Sequence, residues 1–481
     1  MDLVHDFTSF AIWSCPPSNP RCNLSGNRAS NLHRAVQELN AHAGRVVRTS
    51  LLYTTSPQYV TDQPQFLNAV LELSTSLSAV DLLLVLLGTL RYGPRVLDVD
   101  ILFYGTHVVH ATTAVGPLII PHALLHERDF VLRPLLDLAA DFVHPILQQT
   151  IRTLHAALPV PTNPPIPVLS LGPHDLLWPL HTKTYVMGIV NATPDSFSGD
   201  GVGVDVTAAL AAATAMVDQG ADMLDIGGES TKPHAPVVSI DDEIARVVPV
   251  LRAIRHAFPL LPLSIDTTKA RVAAAAIEAG ANMVNDVSGA TADSNMLATV
   301  AAAQVPIVLM HMRGTPATMT FQKTYNDVVA DVIAELTSSL DAAMAAGIPT
   351  WHVVADPGIG FAKGLAENVT LLRHVSKLKA AWAPCPLLVR RRYSGAACSL
   401  QTWGFCIVNS LYTSKIRVIG ASRKAFLGTL CGKPNPADRG NATAGTCAAA
   451  VAGGADVVRV HDVAVCVDVC KVSDAIWRTG V

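Results

Sequence analysis

From residue 185 onward, short apolar runs alternate with longer Ala-rich stretches: YVMGIV, DMLDI, LPLSID, NMVND, PIVLMH, WHVVAD, IRVIGAS and DVVRVHD. The segments between them, such as 206–219 and 241–257, have the length of helices. Eight strand-plus-helix units predict a (β/α)8 barrel, with an open parallel sheet as the structural alternative. Nearly every run ends in a polar residue, in order Asn191, Asp225, Asp266, Asn285, His311, Asp356, Ser422 and His461. In a barrel those eight ends surround one mouth, where active sites of this architecture sit.

Upstream the pattern is mixed. An amphipathic helix is expected at 31–40, strands near 51–53 and 68–73, a helix over 80–87 and a strand over 96–103. Together they predict a small α+β domain with helices on an antiparallel sheet. Residues 159–182 concentrate prolines, which neither continue a helix nor pair inside a sheet, so the boundary is placed there. The expected division is a domain over 22–158, a Pro-rich linker over 159–182 and the barrel over 183–479.

Composition narrows the function. A chain of 481 residues, 50% hydrophobic and 15% charged, exceeds a small binding module and holds sizeable cores. The formal charge of -3 lacks the basic field of a nucleic-acid binder, so any anion is bound locally. Nine cysteines form no CxxC pair, which fits a reducing compartment. The most apolar run, 82–87, is far below the ~18 residues of a membrane span. The start MDLVHDFTSF carries no Arg, unlike a transit peptide. The expectation is an intracellular protein, cytoplasmic or mitochondrial, with neither nucleic acid nor membrane as partner.

The barrel half carries MGIVNATPDSFSGDG (187–201), GADMLDIGGEST (220–231), SIDTTKARV (264–272), NDVSGA (285–290), HMRGTPATM (311–319), ADPGIGF (355–361), GASRKAFLG (420–428) and RVHDV (459–463). Singly, each has a plain reading: Asp266 as a helix cap, His461–Asp462 as a surface pair, 422–424 as a solvated turn. Together and in this order they resemble dihydropteroate synthase. That family joins 6-hydroxymethyl-7,8-dihydropterin pyrophosphate to p-aminobenzoate and releases pyrophosphate, on a TIM barrel. The resemblance implies that Asp266, Asn285, Asp356 and Lys424 bind the pterin, and that Asn191, Arg459 and His461 take the pyrophosphate, with Mg²⁺ at Asn191. It places p-aminobenzoate near Thr231, Pro233, Ser422 and Arg423, and assigns catalysis to Asp266, Asp356, Lys424, Arg459 and His461. It also implies a homodimer through the barrel. The chemistry suits these residues, since carboxylates and an amide read the donor–acceptor edge of a pterin, and cations stabilise a leaving diphosphate. A pterin-binding methyltransferase barrel and a degenerate, non-catalytic pterin-binding protein are the alternative readings.

This chain departs from the family in three places. Lys232 stands where Arg is usual, losing a bidentate fork. Ala362 replaces a usual Gly, which strains any positive φ required there. About 30 residues, 390–419, separate PLLV (386–389) from Gly420, far longer than an ordinary strand-to-helix loop. PLLV and RVIG therefore compete for the seventh strand. The segment reads as translated intron or a gene-model error rather than a lid, and sequencing the mature transcript tests that.

In the first half, RYGPRVLDVDILFYG (91–105) places Asp98 and Asp100 two apart on a strand, facing one side. With TSPQYVTDQPQFLNAV (55–70) and IIPHALLHERDFVLRPL (119–135) it resembles hydroxymethyldihydropterin pyrophosphokinase, a ferredoxin-like α+β domain that transfers pyrophosphate from ATP to the pterin. The resemblance implies Asp98 and Asp100 as Mg²⁺ ligands, and Arg91, Arg95, His122 and Arg128 as ATP contacts. Gln63, Asn68 and Phe130 fall on the pterin side. The usual GSNLGDR start survives only as CNLSGNR (22–28), after a Pro-rich stretch and without a clean first strand. Only GTL remains between Leu87 and Arg91, where the family has a loop that closes over ATP. Slow or absent kinase activity is expected.

Overall fold

The computed structural model describes residues 7–15, 28–57, 65–89, 97–172, 176–193, 205–231, 233, 235–382 and 416–478. The first half contains strands β1 (Phe7–Cys15), β2 (Arg45–Thr49), β3 (Leu52–Thr55), β4 (Phe66–Thr75), β5 (Asp98–Tyr104), β6 (Val109–Thr113) and β7 (Gly116–Ile120). Two more, β8 (Ile166–Ser170) and β9 (Leu177–Pro179), follow. The main sheet runs β5-β1-β4-β3-β8-β9, with β2 also on β4, and every pairing is antiparallel.

Side-chain spacing explains its two covered faces. The helix Arg28–His42 buries Ala29, Leu32, Ala35, Val36 and Leu39 at three- and four-residue intervals. With the helix Ala79–Thr89 it packs on Leu67, Ala69, Leu71 and Ile101. The helices Asp129–Ala139 and Ile151–Ala156 cover Val70 and Leu102 on the opposite face. A clean first strand does exist: β1 lies upstream of the Pro-rich stretch and pairs with both β4 and β5. The sheet therefore begins well before residue 22.

Residues 159–182 are not a bare linker. β8 adds to β3 with Pro167 opposite Tyr53. The Pro167 carbonyl accepts from Leu180 N at 2.8 Å. Proline lacks only the N–H, so its carbonyl still bonds across a strand pair. Leu169, Leu171, Trp178 and Leu180 from this hairpin, with Leu51 and Tyr53, pack on Met187, Met223, Met283, Val308, Val354 and Val457. Those residues line the lower ends of the barrel strands, so the hairpin plugs the barrel floor. Thr350 N also donates to Thr49 Oγ1 at 2.8 Å, and Trp351 is buried in the first domain's core.

The second half closes as expected. Strands β10 (Tyr185–Asn191), β11 (Met223–Gly227), β12 (Leu263–Asp266), β13 (Met283–Asp286), β14 (Ile307–Met310), β15 (Val353–Asp356), β16 (Ile416–Ile419) and β17 (Val457–Val460) are parallel neighbours in order. β10 pairs with both β11 and β17, which excludes an open sheet. The RVI run takes the seventh position, with Ile416 opposite Val354 and Val418 opposite Val457. PLLV and most of the 390–419 segment lie outside the described residues. Helices start on local caps, for example Ser239 accepting from Asp242 N and Asp327 accepting from Val329 N. No described helix is long and apolar enough to cross a membrane.

Candidate active sites

The barrel geometry brings the polar strand ends together. Asn191, Asp266 and Asp356 are the last residues of β10, β12 and β15, and Asn285 is next to last in β13. His311, Ser422 and His461 follow β14, β16 and β17 within three residues. Arg459 reaches across the mouth, its Nε 2.6 Å from Asp225 Oδ2 and its Nη2 2.6 Å from Asp266 Oδ2. Asn285 Nδ2 donates to the same Asp225 oxygen at 2.9 Å. Asp225 was legible only as a polar strand end; its partner stands 234 positions away, so no local signal exposes the pair.

Burial tunes these groups. It raises Asp266 to about 7 against the pull of Arg459, and raises Asp356 to about 6 against the Gly358 amide and Lys424. It lowers Lys424 to about 8. Lys424 Nζ lies 3.8 Å from the Phe361 ring centroid, over a ring that motif reasoning did not single out. Phe361 is held by Lys363, whose buried Nζ donates to its carbonyl at 2.9 Å and bonds His311 Nδ1 at 3.0 Å. Ala362 has φ 48°, so a residue with a Cβ does sit in the left-handed region.

His461 stands among three cations at the mouth. Burial, with the charges of Arg423, Arg459 and Lys424, holds it well below the usual imidazole range. Its backbone N–H donates to Ser422 Oγ at 3.1 Å, and the same hydroxyl oxygen lies 3.0 Å from His461 Nδ1. Those surroundings favour the uncharged ring in the unliganded site. Ser422 orients this ring. Arg423 forks onto Asp462 at 3.1 and 2.6 Å with φ 53°. Thr231, half-buried, and Pro233, exposed, stand on the loop after β11; Lys232 lies outside the described residues.

On the first domain, strand register gathers a second site. Asn68 and Asp98 both lie opposite Ser14 of β1, so the two share one sheet face at roughly 10 Å, two strand spacings. Asp100, two residues on, shares that face, and both carboxylates are exposed. Asn68 is buried, its Nδ2 donating to Thr55 Oγ1 at 2.6 Å while its Oδ1 has no protein partner. Arg128 and Phe130 sit at the start of the helix covering this face, with the guanidinium 5.6 Å from the Phe130 ring centroid. His122 is lowered by burial and Arg128 against the opposing pull of Asp100. Gln63, Arg91 and Arg95 lie outside the described residues. Among the described residues no group of three or more His, Cys, Asp or Glu could hold a metal alone.

A barrel mouth with buried carboxylates around one arginine, carried behind a separate α+β domain with a two-carboxylate strand, matches two pterin-enzyme families, one for each half. Residues 187–461 match the family model for pterin binding enzymes, and residues 22–140 match that for 7,8-dihydro-6-hydroxymethylpterin-pyrophosphokinase. The chain is 39% identical over 94% of its length to the mitochondrial folate synthesis bifunctional protein of Arabidopsis thaliana, covering 81% of that protein. A Xanthomonas albilineans dihydropteroate synthase structure with 4-aminobenzoic acid superposes with TM-score 0.53 at 37% identity, over 65% of this chain and 98% of that one. A Plasmodium falciparum HPPK-DHPS structure with pteroate shares the whole fold, with TM-score 0.74 at 19% identity over 99% and 98% of the two chains. The chain belongs to the bifunctional folate synthesis family.

Proposed function

We propose that the barrel condenses 6-hydroxymethyl-7,8-dihydropterin pyrophosphate with p-aminobenzoate to give dihydropteroate and pyrophosphate. The first domain supplies the substrate by transferring pyrophosphate from ATP to 6-hydroxymethyl-7,8-dihydropterin. The observation that carries this reading is Arg459 held between Asp225 and Asp266 at one mouth with Asn285, Asp356 and Lys424. The carboxylates and Asn285 accept from and donate to the pterin edge, while Lys424 lies along the ring. The amine nitrogen attacks the exocyclic methylene, the C–O bond breaks with its electron pair leaving on pyrophosphate, and the proton lost from the nitrogen goes to a pyrophosphate oxygen or to water. Arg459 and His461 donate to the departing oxygens, whose charge grows as the bond opens. Thr231, Pro233 and Arg423 border the amine side. Release of pyrophosphate on adding p-aminobenzoate to the pterin pyrophosphate tests this; its absence would defeat the reading.

Mg²⁺ suits the first domain, because two exposed carboxylates on one face are what a cation arriving with nucleotide phosphates and retaining waters requires. Asp98 and Asp100 would hold it, and bound there it neutralises the phosphate charge during transfer. The amide of Asn191 is the matching group at the barrel. Asn68 and Phe130 hold the pterin by edge and face, and His122 and Arg128 meet the nucleotide. In a coupled assay with ATP, Mg²⁺ and hydroxymethyldihydropterin, turnover far below the synthase rate is expected; full turnover would show the shortened 88–90 connection to be harmless. A homodimer through the barrel is supported by an exposed apolar stripe on the helix Val463–Trp477, formed by Val465, Val472 and Ile476. An intracellular setting, cytoplasmic or mitochondrial, completes the reading.

The pH profile has a definite shape. Below about 6 to 7 Asp356 and Asp266 are protonated, which removes their charge and puts a donor where the pterin edge needs an acceptor, so kcat/KM for the pterin pyrophosphate rises as pH rises through that window. Above about 8 Lys424 loses its proton and the rate falls. A bell centred between the two limbs is expected from steady-state rates at pH 5 to 9. A flat profile across pH 5.5 to 7 would contradict it.

A further inference from the structure

Glu229, Lys269 and Glu243 form an ion cluster beside the barrel mouth that the functional reading leaves unused. Glu243 is in the first turn of the helix Ile240–Ala257 and its side chain is wholly buried. Lys269 Nζ contacts Glu243 Oε2 at 2.5 Å and Glu229 Oε2 at 2.9 Å. The other Glu229 oxygen accepts from Val238 N at 2.8 Å. That carboxylate thus ties together the two ends of the loop on which Thr231 and Pro233 stand.

The base of the loop is also pressed on the helix. Arg246 Nη1 donates to Gly228 O at 3.0 Å, and a Cβ added at Gly228 would lie 2.7 Å from Val247 Cγ1 and 2.9 Å from Glu243 Cγ. Lys269 itself follows Asp266, the end of β12, by three residues. One ammonium therefore joins the strand end facing the pterin to the loop facing the amine. A buried carboxylate needs a counter-charge. Here the counter-charge bridges two mouth loops as well.

We propose that Lys269 is a positioning residue for the amine substrate, fixing through Glu229 the distance between the Thr231 loop and Asp266. This rests on the synthase reading. Loosening the bridge weakens amine capture and leaves the pterin pocket of Asn285 and Asp356 in place.

Lys269→Met alone strands the Glu243 charge and endangers folding. The decisive variants are Glu229→Gln and the double variant Lys269→Met with Glu243→Gln, which replaces the buried pair by neutral side chains of similar volume. KM for p-aminobenzoate is expected to rise by roughly ten-fold or more in both, as misplacing a binding group does, while KM for the pterin pyrophosphate moves less than about two-fold. Deuterium exchange at the Val238 amide quickens in the Glu229→Gln variant, and Lys269→Arg retains most amine affinity. Both KM values rising together, or neither moving, overturns the inference. Wild-type chain that releases no pyrophosphate overturns the synthase reading and this inference with it. Wild-type turnover with an unchanged amine KM in the variants overturns this inference alone.

Discussion

Arg459→Met is expected to lower synthase kcat/KM by about 10³-fold, the scale on which removal of a preorganised charge-stabilising donor acts. The side chain has two tasks in one place. In the proposed reaction it donates to the leaving pyrophosphate, and it neutralises Asp225, which is wholly buried, and Asp266. Removing one partner of a buried ionic group leaves uncompensated charge and costs about 3 to 5 kcal/mol. Denaturant melts should show that loss in the single variant. Adding Asp225→Asn should restore much of the stability and none of the turnover. Activity within ten-fold of wild type in Arg459→Met would show that the arginine is only a structural counter-ion.

Gly358→Ala is expected to reduce kcat/KM by roughly 100-fold, the scale of a displacement near 1 Å at a reacting centre. Gly358 has φ +70°, and a Cβ there would lie 1.9 Å from the carbonyl oxygen of His311. Neither side can yield cheaply. The obstacle is backbone, and the loop is pinned by Gly358 N donating to Asp356 Oδ1 at 2.7 Å and Gly360 N donating to Asn368 Oδ1 at 2.6 Å. Any shift carries Asp356 and Phe361, and through that ring Lys424, away from their places. Ala362 in the same loop is the internal control: φ 48° shows that left-handed strain alone, of roughly 1 to 2 kcal/mol, is tolerated. The clash at Gly358 is the larger effect. Steady-state kinetics with a near-normal rate in this variant would mean the loop is looser than its hydrogen bonds imply.

The barrel was legible because each of its strands is a short apolar run closed by a polar residue, a pattern carried within five or six positions. The first domain was harder to read for reasons that are also physical. β1 is separated from the rest of its sheet by a Pro-rich stretch, and its partners β4 and β5 lie more than fifty residues away. β8 and β9 were hidden by prolines, whose missing N–H was counted while their carbonyls were not. In the barrel site, motif order gathered Asp266, Asn285, Asp356, Lys424, Arg459 and His461. It did not disclose Phe361, Lys363, the Lys269 cluster or the pairing of Asp225 with Arg459, which rest on contacts between remote segments. Nor does a linear motif disclose the burial and the three neighbouring cations that lower the basicity of His461.

The plugged floor has a bearing on traffic between the two halves. The hairpin β8–β9 occupies one edge of the first sheet and β5, with its two aspartates, forms the other edge. The barrel opens at the end opposite its plug. In the proposed reading, a pterin pyrophosphate formed beside β5 starts at the edge of the sheet farthest from the plug, while the barrel receives it at the end the plug leaves open. Covalent union of the halves sets equal copy numbers of maker and consumer.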